Sequence, residues 1–186
     1  PKSFAEASCR TVWCCLDANS EPIACFCTFI CGVAGNLGRR SMKRILIIGC
    51  SGSGKTTLAR ALGEKLELPV ISLDGLWSGN ATKAEFDSRL ERALSLESWI
   101  MDGNYGRTMD ARLSRCDTLI YLDFGRFACL QGLLQRRPVP WHRVKEVWHY
   151  RRKNHTRDEL YLAKAQHAQR LVLKSRKEVR DFLNTI

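Results

Sequence analysis

The sequence predicts an α/β fold built on a parallel sheet, and three observations point there. From Met42 onward, five short apolar runs of strand length alternate with longer segments of helical periodicity. The first run leads into Gly49-Cys50-Ser51-Gly52-Ser53-Gly54-Lys55-Thr56, which fits the pattern G-x-x-x-x-G-K-[ST]. No internal repeat, low-complexity stretch or Pro/Gly-rich linker interrupts residues 42–186, which read as one domain.

Each element has its own local signal. Arg44–Ile48 is a continuous apolar run, as expected of a strand buried on both faces. Lys55–Leu68 follows as a helix, with Leu58, Leu62 and Leu66 recurring on one side. Pro69–Leu73 is the second strand. Thr82 and Glu85 form a capping box, and Phe86, Leu90, Ala93 and Leu94 supply the apolar stripe of the helix it starts. Trp99–Met101 and Thr118–Leu122 read as the third and fourth strands. Phe127–Arg137 and Trp141–Ala163 read as helices, the latter with Trp141, Val144 and Trp148 on one side. Leu171–Leu173 is a short fifth strand, and Ser175 with Glu178 caps a last helix bearing Val179, Phe182 and Leu183.

Composition narrows the function classes. The chain has 186 residues, 45% hydrophobic and 26% charged, which excludes collagen-like, low-complexity and wholly disordered proteins. Six of its nine cysteines lie in the first 41 residues, and their spacing matches no zinc quartet. Cys50, Cys116 and Cys129 sit among apolar neighbours and read as small buried hydrophobes. Pro22 to Gly38 is uncharged but, at 17 residues diluted by glycine, short for a membrane span. Glu6, Asp17 and Glu21 argue against a signal peptide. Residues 1–41 are therefore expected to be a Cys-rich extension upstream of Met42 and outside the fold. A membrane role is not expected, and the expected location is cytoplasmic.

The glycine-rich motif carries the chemistry. Glycines let the backbone curl so that successive N–H groups point inward and form a nest for anions, while the positive end of the following helix faces the same phosphates. Lys55 is expected to reach the β- and γ-phosphates of ATP, and the Thr56 hydroxyl to ligate Mg²⁺. Gly49, Ser51, Gly52, Ser53, Gly54 and Thr57 complete the expected nucleotide contacts. Phosphoryl transfer also needs a carboxylate for the metal. Asp74, Asp102 and Asp123 stand at the carboxyl ends of predicted strands, the edge where open α/β sheets bind ligands.

The segments ILIIGCSGSGKTTLARALGEKL, PVISLDGLW, WIMDGNYGRTMDARLSRCDTLIYLDF and LVLKSRKEVRDFL, in that order, resemble the DNA topology modulation protein family, small P-loop proteins related to adenylate kinase. The resemblance covers nearly all of residues 42–186 and does not reach residues 1–41. It implies a three-layer, nucleoside-kinase-like P-loop fold with a five-stranded parallel sheet. It further implies that Asp102-Gly103 orients metal-bound waters and that Asp74 holds or activates the acceptor. Arg126, Arg136 and Arg137 stand where it places lid arginines, in a lid region of about residues 126–157. Ser175 and Arg176 stand in the loop near the adenine. Where adenylate kinases have phenylalanine, proline and arginine after the aspartate-glycine pair, this chain has Asn104, Tyr105, Gly106 and Arg107. An AMP acceptor is therefore not implied, and Asn104, Tyr105 and Arg107 are carried forward as acceptor-binding residues.

Charge is segregated along the chain. The net charge is +11, of which residues 42–125 contribute nothing, with 11 basic and 11 acidic side chains, and residues 126–186 contribute +10. Basic residues at 143–157 alternate with Trp141, Trp148, His149, Tyr150 and His155. This pattern suits a kinase lid closing on a triphosphate, a nucleic-acid-binding helix, or a solvated face backed by core tryptophans. Two function classes follow. The first is a monomeric kinase that moves the γ-phosphoryl group of ATP to a small acceptor, with Lys55, Asp74, Arg126 and Arg137 as catalytic residues and Thr56 and Asp102 at Mg²⁺. The second is a nucleotide-binding regulator with slow ATPase activity that associates with DNA.

Overall fold

The five apolar runs pair as one all-parallel sheet in the order β2-β3-β1-β4-β5 in the computed structural model, which describes residues 42–77, 81–135 and 138–186. The strands are β1 (Arg44–Gly49), β2 (Val70–Ser72), β3 (Trp99–Asp102), β4 (Thr118–Leu122) and β5 (Gln169–Leu173). The helices are α1 (Lys55–Leu66), α2 (Leu73–Leu76), α3 (Lys83–Leu94), α4 (Met109–Leu113), α5 (Arg126–Leu134), α6 (Trp141–Lys164) and α7 (Arg176–Thr185). Residues 1–41, Arg136 and Arg137 lie outside the described residues. Among those described, no helix is long and apolar enough to cross a membrane.

Alternation along the central strand builds the three layers. Leu46 and Ile48 face one side, packing with Phe86 and Leu90 of α3 and Met109 and Leu113 of α4. Ile45 and Ile47 face the other, packing with Leu58 and Leu62 of α1, Leu133 of α5 and Phe182 of α7. Both faces of the sheet are covered, which explains why β1, β3 and β4 read as unbroken apolar runs. The capping box at Thr82 is present, with Glu85 N–H donating to the Thr82 hydroxyl. Cys50, Cys116 and Cys129 are buried free thiols.

Helices α2 and α4 have no counterpart in the sequence reading, which places Leu73 in a strand, and two further elements depart from it. Strand β5 starts at Gln169, earlier than its apolar run, because Gln169 and Arg170 take register positions beside Thr118 and Leu119 at the sheet edge. An edge position leaves one side of the strand without a neighbour, so polar side chains are tolerated there. Helix α6 is turned about its axis relative to expectation. Trp141 and Trp148 are 69% and 45% exposed, while Val147, Asp158 and Tyr161 are buried. Its inward stripe runs Val147, Tyr150, Asn154, Asp158, Tyr161, and four polar-tipped members hide it from a hydrophobic-periodicity reading. The amino-terminal half of α6 packs with α1 and α5, and the carboxyl-terminal half packs with α3 and α4. The helix thus passes from one layer to the other.

The phosphate loop and α5 touch backbone to backbone. Gly52 has φ +79°, and a Cβ there would lie 2.1 Å from the Cys129 carbonyl oxygen; a Cβ on Gly132 would lie 2.1 Å from the Gly52 carbonyl oxygen. Neither position can carry a side chain without moving the loop. Gly132→Ala is expected to cost about 1–3 kcal/mol in urea unfolding. Gly75→Ala, inside α2 where a Cβ meets nothing within 4 Å, is the helical control and should not lower stability.

Candidate active site

The site forms where β1 runs into α1. The loop turns after Gly49, is pinned internally by Ser53 N–H donating to Cys50 O at 3.2 Å, and feeds α1, whose first helical bond is Leu58 N–H to Gly54 O at 2.9 Å. The free N–H groups at the start of α1 therefore face the loop concavity. Lys55 Nζ donates to the carbonyls of Gly49 and Cys50, both at 2.9 Å, so its ammonium is held inside the loop. Burial pulls the Lys55 pKa below its ordinary value, opposed by the nearby Asp102 charge.

Parallel pairing of β1 with β3 delivers the acidic partner. Ile47 stands beside Asp102, and the Thr56 hydroxyl donates to Asp102 Oδ2 at 2.5 Å. Asp102 is 4% exposed, and its Oδ1 has no hydrogen-bond partner among the described residues; the buried Ser53 hydroxyl likewise has none. An unpaired buried carboxylate oxygen beside a loop hydroxyl suits a hard cation completed by phosphate oxygens and water. No cluster of three or more His, Cys, Asp or Glu side chains that could hold a metal exists among the described residues. The single buried Asp102 carboxylate beside the Thr56 hydroxyl fits Mg²⁺, which is commonly held by one or two carboxylates plus substrate phosphates.

The turn after β3 is organised by two residues. Asn104 faces inward: its Nδ2 donates to Gly49 O at 2.5 Å and its Oδ1 accepts from Gly49 N–H at 3.2 Å. Arg112, fully buried in α4, donates to Thr108 O at 3.3 Å, Gly103 O at 2.8 Å and Tyr105 O at 2.5 Å. Burial brings the Arg112 pKa down to about 10, so the group stays charged at neutral pH. Tyr105, on the same turn, donates its hydroxyl to Asp74 Oδ1 at 2.9 Å. Burial, with help from Asp74, pushes the Tyr105 pKa up to about 12.

A cleft of about 480 Å³ joins these groups. Cys50, Ser51 and Lys55 line its phosphate-loop end, Asp74, Asn104 and Tyr105 one wall, and Arg143, Lys153 and Arg157 of α6 the other. The structure therefore gathers Ser51, Lys55, Asp74, Asn104 and Tyr105 into one space, with Thr56 and Asp102 beside Lys55. It engages other expected residues elsewhere. Arg107 makes a two-pronged pair with Asp87 of α3 at 2.7 and 2.8 Å. Arg126 lies over the Trp148 ring at 5.1 Å and lines a separate cleft of about 400 Å³. Ser175 caps α7, accepting from Glu178 N–H, and Arg176 donates to Ala128 O at 3.2 Å. Asp123 faces Arg151 at 3.7 Å, and Thr57 is exposed. Sequence reasoning has Tyr150 and Arg157 only as part of the basic run at 143–157, and it misses Arg112 of α4 and Asp158 of α6. The signal available was a buried-type spacing on α6 interrupted by polar residues.

Comparison with solved structures agrees on the fold. The chain is similar to shikimate kinase from Bacteroides thetaiotaomicron, at TM-score 0.54 and 17% identity over 77% of this chain and 95% of that one. It is also similar to shikimate kinase from Acinetobacter baumannii in complex with shikimate, at 0.54 and 18% over 78% and 90%. Deoxyadenosine kinase from M. mycoides with bound dATP matches at 0.50 and 16% over 76% and 97%. No family model and no curated protein matches the chain. The chain has the kinase-like P-loop fold, with five parallel strands between two helical layers.

Removing the Arg112 guanidinium would strand the carbonyls of Gly103 and Tyr105. Arg112→Leu is expected to lower unfolding free energy by about 2–4 kcal/mol in chemical denaturation. Arg115→Leu, which removes only an exposed pair with Glu91, should cost less than about 1 kcal/mol.

Proposed function

We propose that the protein is an ATP-dependent phosphotransferase acting on a small acceptor that bears a hydroxyl group. One observation carries the reading: the Thr56 hydroxyl and Asp102 carboxylate meet at 2.5 Å beside Lys55, at the end of a cleft whose wall holds Asp74. Loop N–H groups between Ser51 and Thr56, apart from that of Ser53, bind the β- and γ-phosphates. Lys55 exchanges the Gly49 and Cys50 carbonyls for phosphate oxygens, drawing charge from the transferring group. Thr56 and Asp102 would hold Mg²⁺, which when bound neutralises charge on the phosphates. Asp74 accepts the proton of the acceptor hydroxyl as its oxygen bonds to the γ-phosphorus, and ADP leaves. Tyr105 donates to Asp74 Oδ1 and so leaves Oδ2 to take that proton.

The finer assignments belong to the same reading. Asn104 and Tyr105 shape the acceptor end, Arg107 braces their turn through its pair with Asp87, Arg126 and Arg137 supply lid charge, and Ser175 and Arg176 flank the adenine. The motif order resembling DNA topology modulation proteins supports a place near that family and its adenylate-kinase relatives. The 1–41 extension is proposed to be dispensable, and the protein to act as a cytoplasmic monomer. A second reading, a nucleotide-binding regulator with slow ATPase activity that associates with DNA, is favoured by one feature. Trp141, Trp148 and Phe127 are exposed beside Arg126 and Lys145.

Incubation with Mg-ATP and a panel of nucleosides, nucleoside monophosphates and small alcohols separates the two readings by ADP release. Stimulation by one acceptor class supports the phosphotransferase; flat hydrolysis with duplex DNA binding that weakens steeply with salt supports the regulator. Lys55→Ala is expected to abolish turnover under either. Asp74→Asn should lower acceptor-dependent kcat by about 10²–10⁴ with ATP affinity unchanged, and retained kcat would remove Asp74 as the base.

A further inference from the structure

Helix α6 reaches the phosphate loop through side chains. Gly49, the first residue of the loop motif, has both backbone polar groups engaged by Asn104. Asn104 Nδ2 also donates to the Tyr150 hydroxyl oxygen on α6 at 3.2 Å. The Tyr150 hydroxyl donates in turn to Asp158 Oδ2 at 2.8 Å, two helical turns further on. Asp158 is 1% exposed, and its other oxygen accepts from Arg157 Nη2 at 3.3 Å. A buried carboxylate is an expensive way to fill a helix face, and apolar residues at these positions would pack more cheaply. What the polar chain supplies is a defined orientation for one amide, that of Asn104.

That orientation matters because of what Gly49 does. Its φ of +145° is a conformation in which the backbone has few steric guides. The peptide plane leaving Gly49 sets the direction in which the following loop amides point. Lys55 also binds the Gly49 carbonyl, and in the phosphotransferase reading it leaves that oxygen for phosphate. Asn104 then remains as the side chain holding Gly49 on both sides.

We propose that Tyr150 and Asp158 are positioning residues for the phosphate loop, acting through Asn104 to hold Gly49 in its nucleotide-binding conformation. The helix that carries the basic residues is thereby tied to the loop at its midpoint. The inference rests on nucleotide binding at the loop and is independent of which acceptor is used.

A double-mutant cycle on the full chain tests it, with two readouts: Mg-ATP affinity by calorimetry, and hydrogen-exchange protection of the Gly49 amide by NMR. Tyr150→Phe keeps the ring and removes the bridge. It is expected to weaken Mg-ATP binding about fivefold to tenfold and to lower Gly49 protection by a similar factor, with Ile47 and Ile120 amides unchanged. Asp158→Leu should match it, whereas Asp158→Asn, which keeps an oxygen for the Tyr150 hydroxyl, should stay within about threefold of wild type. In an Asn104→Ala background, Tyr150→Phe should add less than about twofold. Asn104→Ser serves as the second background if Asn104→Ala does not fold. Full additivity of the two substitutions, or wild-type Gly49 protection in Tyr150→Phe, overturns the proposal. A wild-type protein that binds no ATP would remove the phosphotransferase reading, and Gly49 protection alone would then decide whether Tyr150 and Asp158 hold the loop.

Discussion

The site depends on the register of two parallel strands. Ile47 pairs with Asp102 across β1 and β3, so β3 ends two residues before β1 does. From that pair onward, β1 continues into the phosphate loop, and β3 presents a carboxylate and then an asparagine toward it. The period-two alternation of a strand makes this register unforgiving: a slip of one residue would turn Asp102 into a helical layer and bring Gly103 to the loop. The apolar residues that precede Asp102 hold the register, because Trp99, Ile100 and Met101 are wholly buried between the two layers. Core packing and active-site geometry are the same constraint here.

Around that junction the loop is fixed from several directions. Asn104 engages Gly49, the α5 backbone closes on Gly52, and Thr56 reaches Asp102. A loop that must present bare N–H groups to an anion can spend few of them on its own stability, here that of Ser53, so its carbonyls and flanks are held mainly by other side chains and elements. Arg112 extends this to the opposite wall by binding the carbonyls of the turn that carries Asn104 and Tyr105. Helix α6 completes the enclosure. It crosses from one layer to the other over the ends of the strands, meets Asn104 through Tyr150, and brings Arg143, Lys153 and Arg157 to the cleft.

The outward face of α6 has a different character. Arg126 stacks on Trp148, Phe127 meets the same ring edge-on, and Lys145 lies over Trp141. These contacts shelter the aromatic rings with cations rather than with core. The carboxyl-terminal excess of positive charge is thus divided between two places: some cations line the cleft, and others cover exposed rings on the far side.

The strands, the helix caps and the phosphate loop were legible in the sequence because each depends on residues close together in the chain. Five consecutive apolar or glycine positions make a buried strand, Thr82 finds Glu85 three residues on, and a loop that cradles phosphate needs its glycines at set intervals. Asp102 and Asp74 could be singled out because strand ends in such a sheet gather at one edge. What the sequence alone could not decide were the partners. Gly52 meets Gly132, Thr56 meets Asp102 and Asn104 meets Tyr150 across separations of 46 to 80 residues. Arg107 turned to Asp87, and α6 rotated to bury Val147, Asp158 and Tyr161 in place of its tryptophans. Such choices are made by how whole layers fit together, since a polar side chain has no preferred partner until packing removes it from water.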